Sequence, residues 1–255
     1  MQFKSFGFSD LGKVRNKNED NYLCDETNGL FLVADGMGGH ASGEIASKVA
    51  VESVNEFVVR SRDEEFEWPV KYRDDLSLEQ NRLLSGVIFS NRKIHKIADK
   101  NPSMKGMGTT LVGGIIEGDN FVVVNVGDSR LYRIRNGSID LITRDHTWVG
   151  DQVKKGILTK EEALNHPQKH VLTSALGHMR KKPVIDLFDS DISENDLFLL
   201  CSDGLYNMLS DTEMLEIISS IGDHSLYKIG ISLALKANLA GGSDNITLVL
   251  ISFSN

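Results

Sequence analysis

Three short apolar runs in this chain each end on an aspartate. They are Phe31-Leu32-Val33-Ala34-Asp35, Val122-Val123-Val124-Asn125-Val126-Gly127-Asp128 and Leu197-Phe198-Leu199-Leu200-Cys201-Ser202-Asp203. A fourth aspartate, Asp244, stands just before the closing apolar run from Ile246, and Glu19-Asp20 precede another at Asn21. Runs of this length, rich in β-branched and aromatic residues, read as strands. An acid at the end of a buried strand is costly if unpaired, and several close together raise one another's pKa. Hard divalent cations such as Mn²⁺ or Mg²⁺ remove that penalty and take oxygen ligands. The competing explanation for any single Asp-Gly is an ordinary turn. Four such positions in one chain fit a shared cation site better than four separate turns.

The rest of the pattern sets the fold class. Strands are expected at Phe3–Phe8, Asn21–Cys24 and Gly29–Ala34. A helix follows from Ser42 to Arg60, with Ser42 as its cap. A charged loop over 61–75 leads to a second helix, Leu78–Lys100, with Ser77 and Gln80 as a capping box. Thr110–Thr143 reads as a strand meander with turns at Gly118-Asp119 and Asn136-Gly137. Residues 148–169 are polar, with weak helical character near Thr159–Asn165. Further strands are expected at Val184–Phe188 and Asp196–Cys201. Helices should run from an Asp211 cap to Ile221 and from Ser225 to Leu239, and the last strand is Ile246–Phe253. Hairpin strands mixed with helix pairs point to layered α and β rather than an alternating parallel sheet.

Composition narrows function. At 255 residues with a net charge of -8, the chain carries the wrong sign for a general nucleic-acid binder. No apolar run approaches the roughly 20 residues that span a bilayer, and the first residues lack a secretory apolar segment. Two cysteines, Cys24 and Cys201, suggest no disulfide framework. These features predict a soluble, cytoplasmic chain with no membrane span. Neither cysteine has an arginine six residues on (Leu30 and Asn207 stand there), which rules out Cys-x5-Arg phosphatase chemistry. Gly36-Met37-Gly38-Gly39-His40-Ala41 matches a dinucleotide fingerprint. Asp35 against its first glycine would repel a pyrophosphate, however, and no parallel βαβ unit follows.

Six segments together resemble the protein phosphatase 2C family, in its bacterial form, and they occur in family order across nearly the whole chain. They are Gly12 to Asp20, Val33 to His40, Met107-Gly108-Thr109-Thr110, Asn125 to Arg130, Ser202-Asp203-Gly204-Leu205 and Gly242 to Thr247. The resemblance implies one α+β catalytic domain over residues 1–255. Its two packed antiparallel sheets would form a β-sandwich flanked by pairs of helices, with a flap over about 148–169 that influences substrate choice. It implies a metal-dependent serine/threonine phosphatase in which two core Mn²⁺ or Mg²⁺ ions lower the pKa of a shared water for in-line attack on phosphorus. By motif, Asp35 bridges both ions, the Gly36 carbonyl serves one, and Asp203 and Asp244 hold the other. Asp128 matches the residue that helps bind a third, weaker ion. Glu19 and Asp20 act through metal-bound waters or as hydrogen-bond acceptors behind them, and Asn245 stands beside Asp244 in the same supporting role.

Arg15 suits bidentate phosphate binding; its alternative is a surface ion pair with Glu19, four residues on. Met37 stands where eukaryotic relatives place a histidine. His40 is therefore the candidate donor of a proton to the leaving oxygen, or else a cap or brace of the next helix. His146, His166 and His170 could also serve, or could be solvated loop histidines. Expected partners are phosphorylated proteins, including a Ser/Thr protein kinase, and the expected state is a monomer. Two other function classes remain in play: a non-catalytic pseudophosphatase that binds phosphoproteins, and a nucleotide-binding protein.

Overall fold

Strand pairing explains why the acids gather. The computed structural model describes residues 1–255 except 39–41, 64, 69, 178–181, 223, 224 and 255. One sheet contains β1 (Gln2–Asp10), β8 (Arg130–Arg135), β9 (Ser138–Leu141), β11 (Leu197–Cys201) and β12 (Ile246–Ser254), in the order β1-β12-β11-β8-β9. The other contains β2 (Asn21–Asp25), β3 (Leu30–Ala34), β6 (Leu111–Glu117), β7 (Asn120–Val126) and β10 (Asp186–Asp191), in the order β10-β7-β6-β3-β2. A two-residue pair, β4 (Gly36–Met37) with β5 (Gly108–Thr109), stands beside them. Every pairing among the described strands is antiparallel. The parallel crossover that a dinucleotide fingerprint requires is therefore missing among the described residues.

In the second sheet β3 and β7 each lie antiparallel to β6, so their C-terminal ends share one edge, where β2 begins. In the first sheet the end of β11 meets the start of β12 and the end of β1. Thus Asp35, Asp128, Asp203, Asp244 and Glu19-Asp20 all fall at the junctions that this topology aligns.

Helices cover both outer faces. Helix α1 (Gly43–Arg60) packs on α2 (Leu78–Lys100) over the second sheet, and α6 (Asp211–Ser220) packs on α7 (Leu226–Leu239) over the first. The continuous apolar run of β3 is divided residue by residue. Leu30, Leu32 and Ala34 pack with Ala46, Ala50, Val54 and Leu83 of the helices. Phe31 and Val33 turn into the inter-sheet layer with Phe121, Phe198, Leu200 and Ile251. Alternate β11 residues Leu199 and Cys201 face Met214, Ile218 and Leu233. This is period-two patterning buried on both sides, as expected for a sandwich flanked by helix pairs.

Several local expectations change. Ser42 does not cap α1 with its side chain: its backbone is already helical (φ -97°), so its hydroxyl is not aimed at the first turn. The cap of α6 is Ser210, not Asp211, because Ser210 is extended and forms a reciprocal box with Glu213. Ser77 and Gln80 form the expected box at α2. The 148–169 segment holds two short helices, α3 (Trp148–Lys154), capped by Thr147, and α4 (Lys160–Leu164), capped by Thr159 with Glu162. Strand β10 begins and ends later than expected because it follows its register with β7, Asp186 opposite Asn125 through Asp191 opposite Asn120. No helix among the described residues is long and apolar enough to cross a membrane.

Candidate metal centre

The aligned strand ends surround a cavity of about 710 Å³. Arg15, Glu19, Asp35, Gly36, Asp128 and Asp203 line it, as do Asp244 and Asn245. Of the remaining candidates, Asp20 is buried behind the wall, and His40 lies outside the described residues.

Each acid is fixed by local structure. The Asp35 N–H donates to Thr110 Oγ1 (3.0 Å), and the Asp35 carbonyl accepts from Thr109 Oγ1 (2.8 Å) and the Thr110 N–H (2.9 Å). Gly36 follows in β4, donating to the Glu19 carbonyl at 3.2 Å. A Cβ at Gly36 would lie 2.5 Å from the Gly43 carbonyl carbon and nearer still to the carbonyl oxygens of Gly43 and Glu19. Only glycine lets the three segments close. Asp203 opens a single helical turn, α5 (Asp203–Tyr206), and one of its oxygens accepts from Asn207 Nδ2 at 3.1 Å. Gly204 lies so close to the Asn245 carbonyl that it too admits no Cβ. Asn245 ties the arginine-bearing loop to β12. Its Nδ2 donates to the Leu11 and Lys17 carbonyls (2.9 and 3.0 Å), and its Oδ1 accepts from the Glu19 N–H (2.9 Å). Asp128 is held through its carbonyl by the Tyr206 hydroxyl at 3.0 Å.

Burial and mutual repulsion dominate the electrostatics. Burial raises Asp35 well above the usual carboxylate range, reinforced by Asp20, Asp203, Asp128 and Asp244. Burial pushes Asp20 up to about 7 against the opposing hydrogen bonds from Thr247 and Ser202, the latter at 2.8 Å. Asp128 rises to about 8 through burial and the neighbouring Asp203 and Asp145. Asp203 rises through burial and Asp244, and Glu19 through burial. One cation already faces the group: Arg15 Nη2 donates to Asp244 Oδ2 at 2.7 Å, with half of the Arg15 side chain exposed. The Glu19 partner expected from spacing is displaced by one 229 residues away.

The residues fit a pair of hard cations by chemistry. The wall offers oxygen donors, the acids are destabilised by one another, and Asp203 Oδ1 is buried with no well-aligned hydrogen-bond partner among the described residues, its neighbour there being the Asp35 carboxyl. Among the described residues, no three His, Cys, Asp or Glu side chains already stand as an ion-holding group; the carboxylates face one cavity rather than one point.

The histidines separate. His170 lines the cavity. His166 packs against Trp148, the two rings tilted by 32° with centroids 4.9 Å apart. His146 is buried at 5% exposure, which excludes the solvated-loop alternative for it. Lys169, Asn207, Met208 and Ser243 also line the cavity and were not anticipated. The only usable signal for Asn207 is its position four residues after Asp203, which matters once that segment is helical.

A family model described as protein phosphatase 2C matches residues 13–227. The "Serine/threonine phosphatase stp" of Listeria welshimeri is 37% identical over 251 residues, covering 95% of this chain and 93% of the relative. The crystal structure of the Mycobacterium tuberculosis serine/threonine phosphatase PstP/Ppp superposes with a TM-score of 0.84 at 32% identity, covering 99% of both chains. The catalytic domain of PstP in complex with two manganese ions superposes at 0.81 and 31% identity, again over 99% of both chains.

Proposed function

Since the chain belongs to the protein phosphatase 2C family, we propose that its acidic cavity hydrolyses phosphoserine and phosphothreonine in proteins, with divalent metal ions as cofactor. Asp35, the Gly36 carbonyl, Asp203 and Asp244 would hold two core ions, Mn²⁺ or Mg²⁺, and Asp128 would contribute to a weaker third. Bound there, such a pair supplies a water of lowered pKa and positive charge against the phosphoryl oxygens.

The chain's own residues do the rest. Arg15 stands at the cavity wall, half exposed and with one nitrogen on Asp244, and its other guanidinium donors grip phosphate oxygens. Asn245 keeps the Arg15 loop closed on β12, and Asp20, anchored by Ser202, backs the wall. Lys169, at the end of the 148–169 flap, and His170, directly after it, bring donors to the same cavity. The leaving seryl or threonyl oxygen takes its proton from His40 or His170, directly or through water. The working unit is one domain over residues 1–255, acting as a cytoplasmic monomer on phosphorylated proteins that include a Ser/Thr protein kinase.

The observation that carries this reading is the set of acids from separate strand ends around one cavity, with Asp203 Oδ1 buried and without a well-aligned partner among the described residues. Its test is hydrolysis of p-nitrophenyl phosphate and of a phosphothreonyl peptide. Turnover should vanish in EDTA and return with Mn²⁺, and Asp203→Asn should lose most of it while keeping a cooperative melt. Full turnover with all divalent ions removed would sink the proposal. Phosphopeptide binding without turnover under any divalent ion would identify a non-catalytic binding module instead.

A further inference from the structure

His146 is buried and does not line the cavity, yet it sits between two segments that form the cavity wall. Its backbone N–H donates to the Gly127 carbonyl at 2.9 Å, and its Nδ1 accepts from the Gly127 N–H at 3.1 Å. Gly127 immediately precedes Asp128, and its left-handed backbone (φ +104°) carries it against Thr110, where a Cβ would meet the threonine side chain at 2.7 Å. On its other side, the His146 carbonyl accepts from the Thr173 N–H at 2.8 Å. The next residues continue the contact, with Thr147 bridged to Leu172 and the Trp148 N–H donating to the Val171 carbonyl at 2.8 Å. His170 and Leu172, in the arm over 170–173 that follows the 148–169 flap, line the cavity together with Asp128.

The ring is oriented from behind. Asp186 Oδ2 lies 3.2 Å from Nε2, bent from good hydrogen-bond alignment, and is itself held by Arg144 Nη2 at 2.5 Å. Asn125 Nδ2 spans the Gly127 and Arg144 carbonyls at 3.2 and 2.9 Å. An accepting Nδ1 leaves the proton on Nε2, the side that faces the Asp186 carboxylate. A carboxylate behind a histidine fixes its tautomer and ring plane.

We propose that His146 is a positioning residue that locks the Asp128 turn and the arm over 171–173, which follows the 148–169 flap, into one register, through a neutral ring whose Nδ1 accepts from Gly127 and whose Nε2–H faces Asp186. The part of this that concerns cation binding rests on the metal-site reading above; the hydrogen-bond geometry stands without it.

Two variants separate the contacts. In His146→Asn an amide oxygen stands where Nδ1 stood, so the Gly127 N–H keeps an acceptor. His146→Gln reaches toward Asp186 and leaves that N–H without one. Amide exchange at Gly127 and over 170–173 should accelerate at least about tenfold in the Gln variant and stay near that of the unmodified protein in the Asn variant. In calorimetric titration with Mn²⁺ alone, the weakest binding step should loosen by about tenfold in the Gln variant, with the tighter steps unchanged.

Exchange and Mn²⁺ binding like those of the unmodified protein in His146→Gln would overturn the assignment, and so would equal loosening in both variants. Should His146→Gln lose its cooperative melt, the ¹⁵N spectrum of the unmodified protein decides. An Nε2–H tautomer supports the proposal, and an Nδ1–H tautomer refutes it. Absence of any Mn²⁺ uptake by the unmodified protein would instead defeat the metal-site reading, leaving the exchange and tautomer measurements to judge His146.

Discussion

Adding a single methyl group at Gly36 tests whether the closeness of three segments builds the site. In Gly36→Ala the new Cβ falls 2.5 Å from the Gly43 carbonyl carbon, at the first turn of α1, and presses on the Glu19 carbonyl of the β1–β2 loop. That is roughly 1 Å inside ordinary carbon contact. Both obstacles are backbone, so no side chain can rotate away. Overpacking of this kind costs about 1–3 kcal/mol, and the rigid surroundings argue for the upper end. For a domain of this size each kcal/mol lowers the melting temperature by about 2–4 °C, so a fall of roughly 6–12 °C is expected. The displacement also pulls Glu19 and Asp35 apart, since the Gly36 N–H donates to the Glu19 carbonyl and Asp35 is the preceding residue. A misplacement near 1 Å can cost about a hundredfold in rate. Thermal melts with and without Mn²⁺, followed by phosphopeptide turnover, would measure both effects. Gly222→Ala is the control, because its Cβ meets nothing within 4 Å among the described residues. A Gly36→Ala protein that melts and turns over like the Gly222→Ala control would refute the close-approach argument.

Two further perturbations probe the electrostatics. Arg15 and Asp244 are 51% and 30% exposed at the side chain, so their pair should contribute about 0–1 kcal/mol to stability. Arg15→Ala should therefore melt almost normally yet lose about 10–100-fold in kcat/KM, the worth of a charged phosphate contact; a large loss of stability with unchanged kinetics would make Arg15 a structural residue. The second concerns pH in EDTA. Asp20 is raised from its ordinary 3.8 to about 7 and Asp128 to about 8. Between about 4 and 8 the folded protein then holds protons that the unfolded chain has released, so stability falls as pH rises through that window. Asp128→Asn should flatten the slope, and metal-free melts that do not change from pH 5 to 8 would contradict it.

The sandwich was legible because its evidence is spread over long segments. Runs such as Leu30–Ala34 and Leu197–Cys201 are apolar at every position, which only a strand buried on both faces requires, and the observed division of alternate residues between two layers is the reason. The acids were legible for the same reason: a charge at the end of such a run has nowhere neutral to go. What escaped is short or non-local. The turn α5 has four residues and β4 has two, too few to show any period. Helix α3 buries only Val149, so no apolar stripe announces it.

Pairing Arg15 with Glu19 by four-residue spacing presumes a helix. Residues 11–20 form none, and the chain there instead folds against residues 242–245, just ahead of β12, where Arg15 meets Asp244. His146 escaped most completely, because its significance lies in Gly127, Thr173 and Asp186, three contacts that no spacing rule connects. Antiparallel topology makes this division of labour intelligible. It brings the ends of β1, β3, β7 and β11 and the starts of β2 and β12 to one edge without any specific side chain, so a reader who finds the strands finds the acids. The distances between those acids, however, are set by glycines that admit no Cβ and by polar braces such as Asn245, Thr110 and His146. A sequence can carry the members of a site in plain view while the spacing among them stays hidden in contacts between segments far apart along the chain.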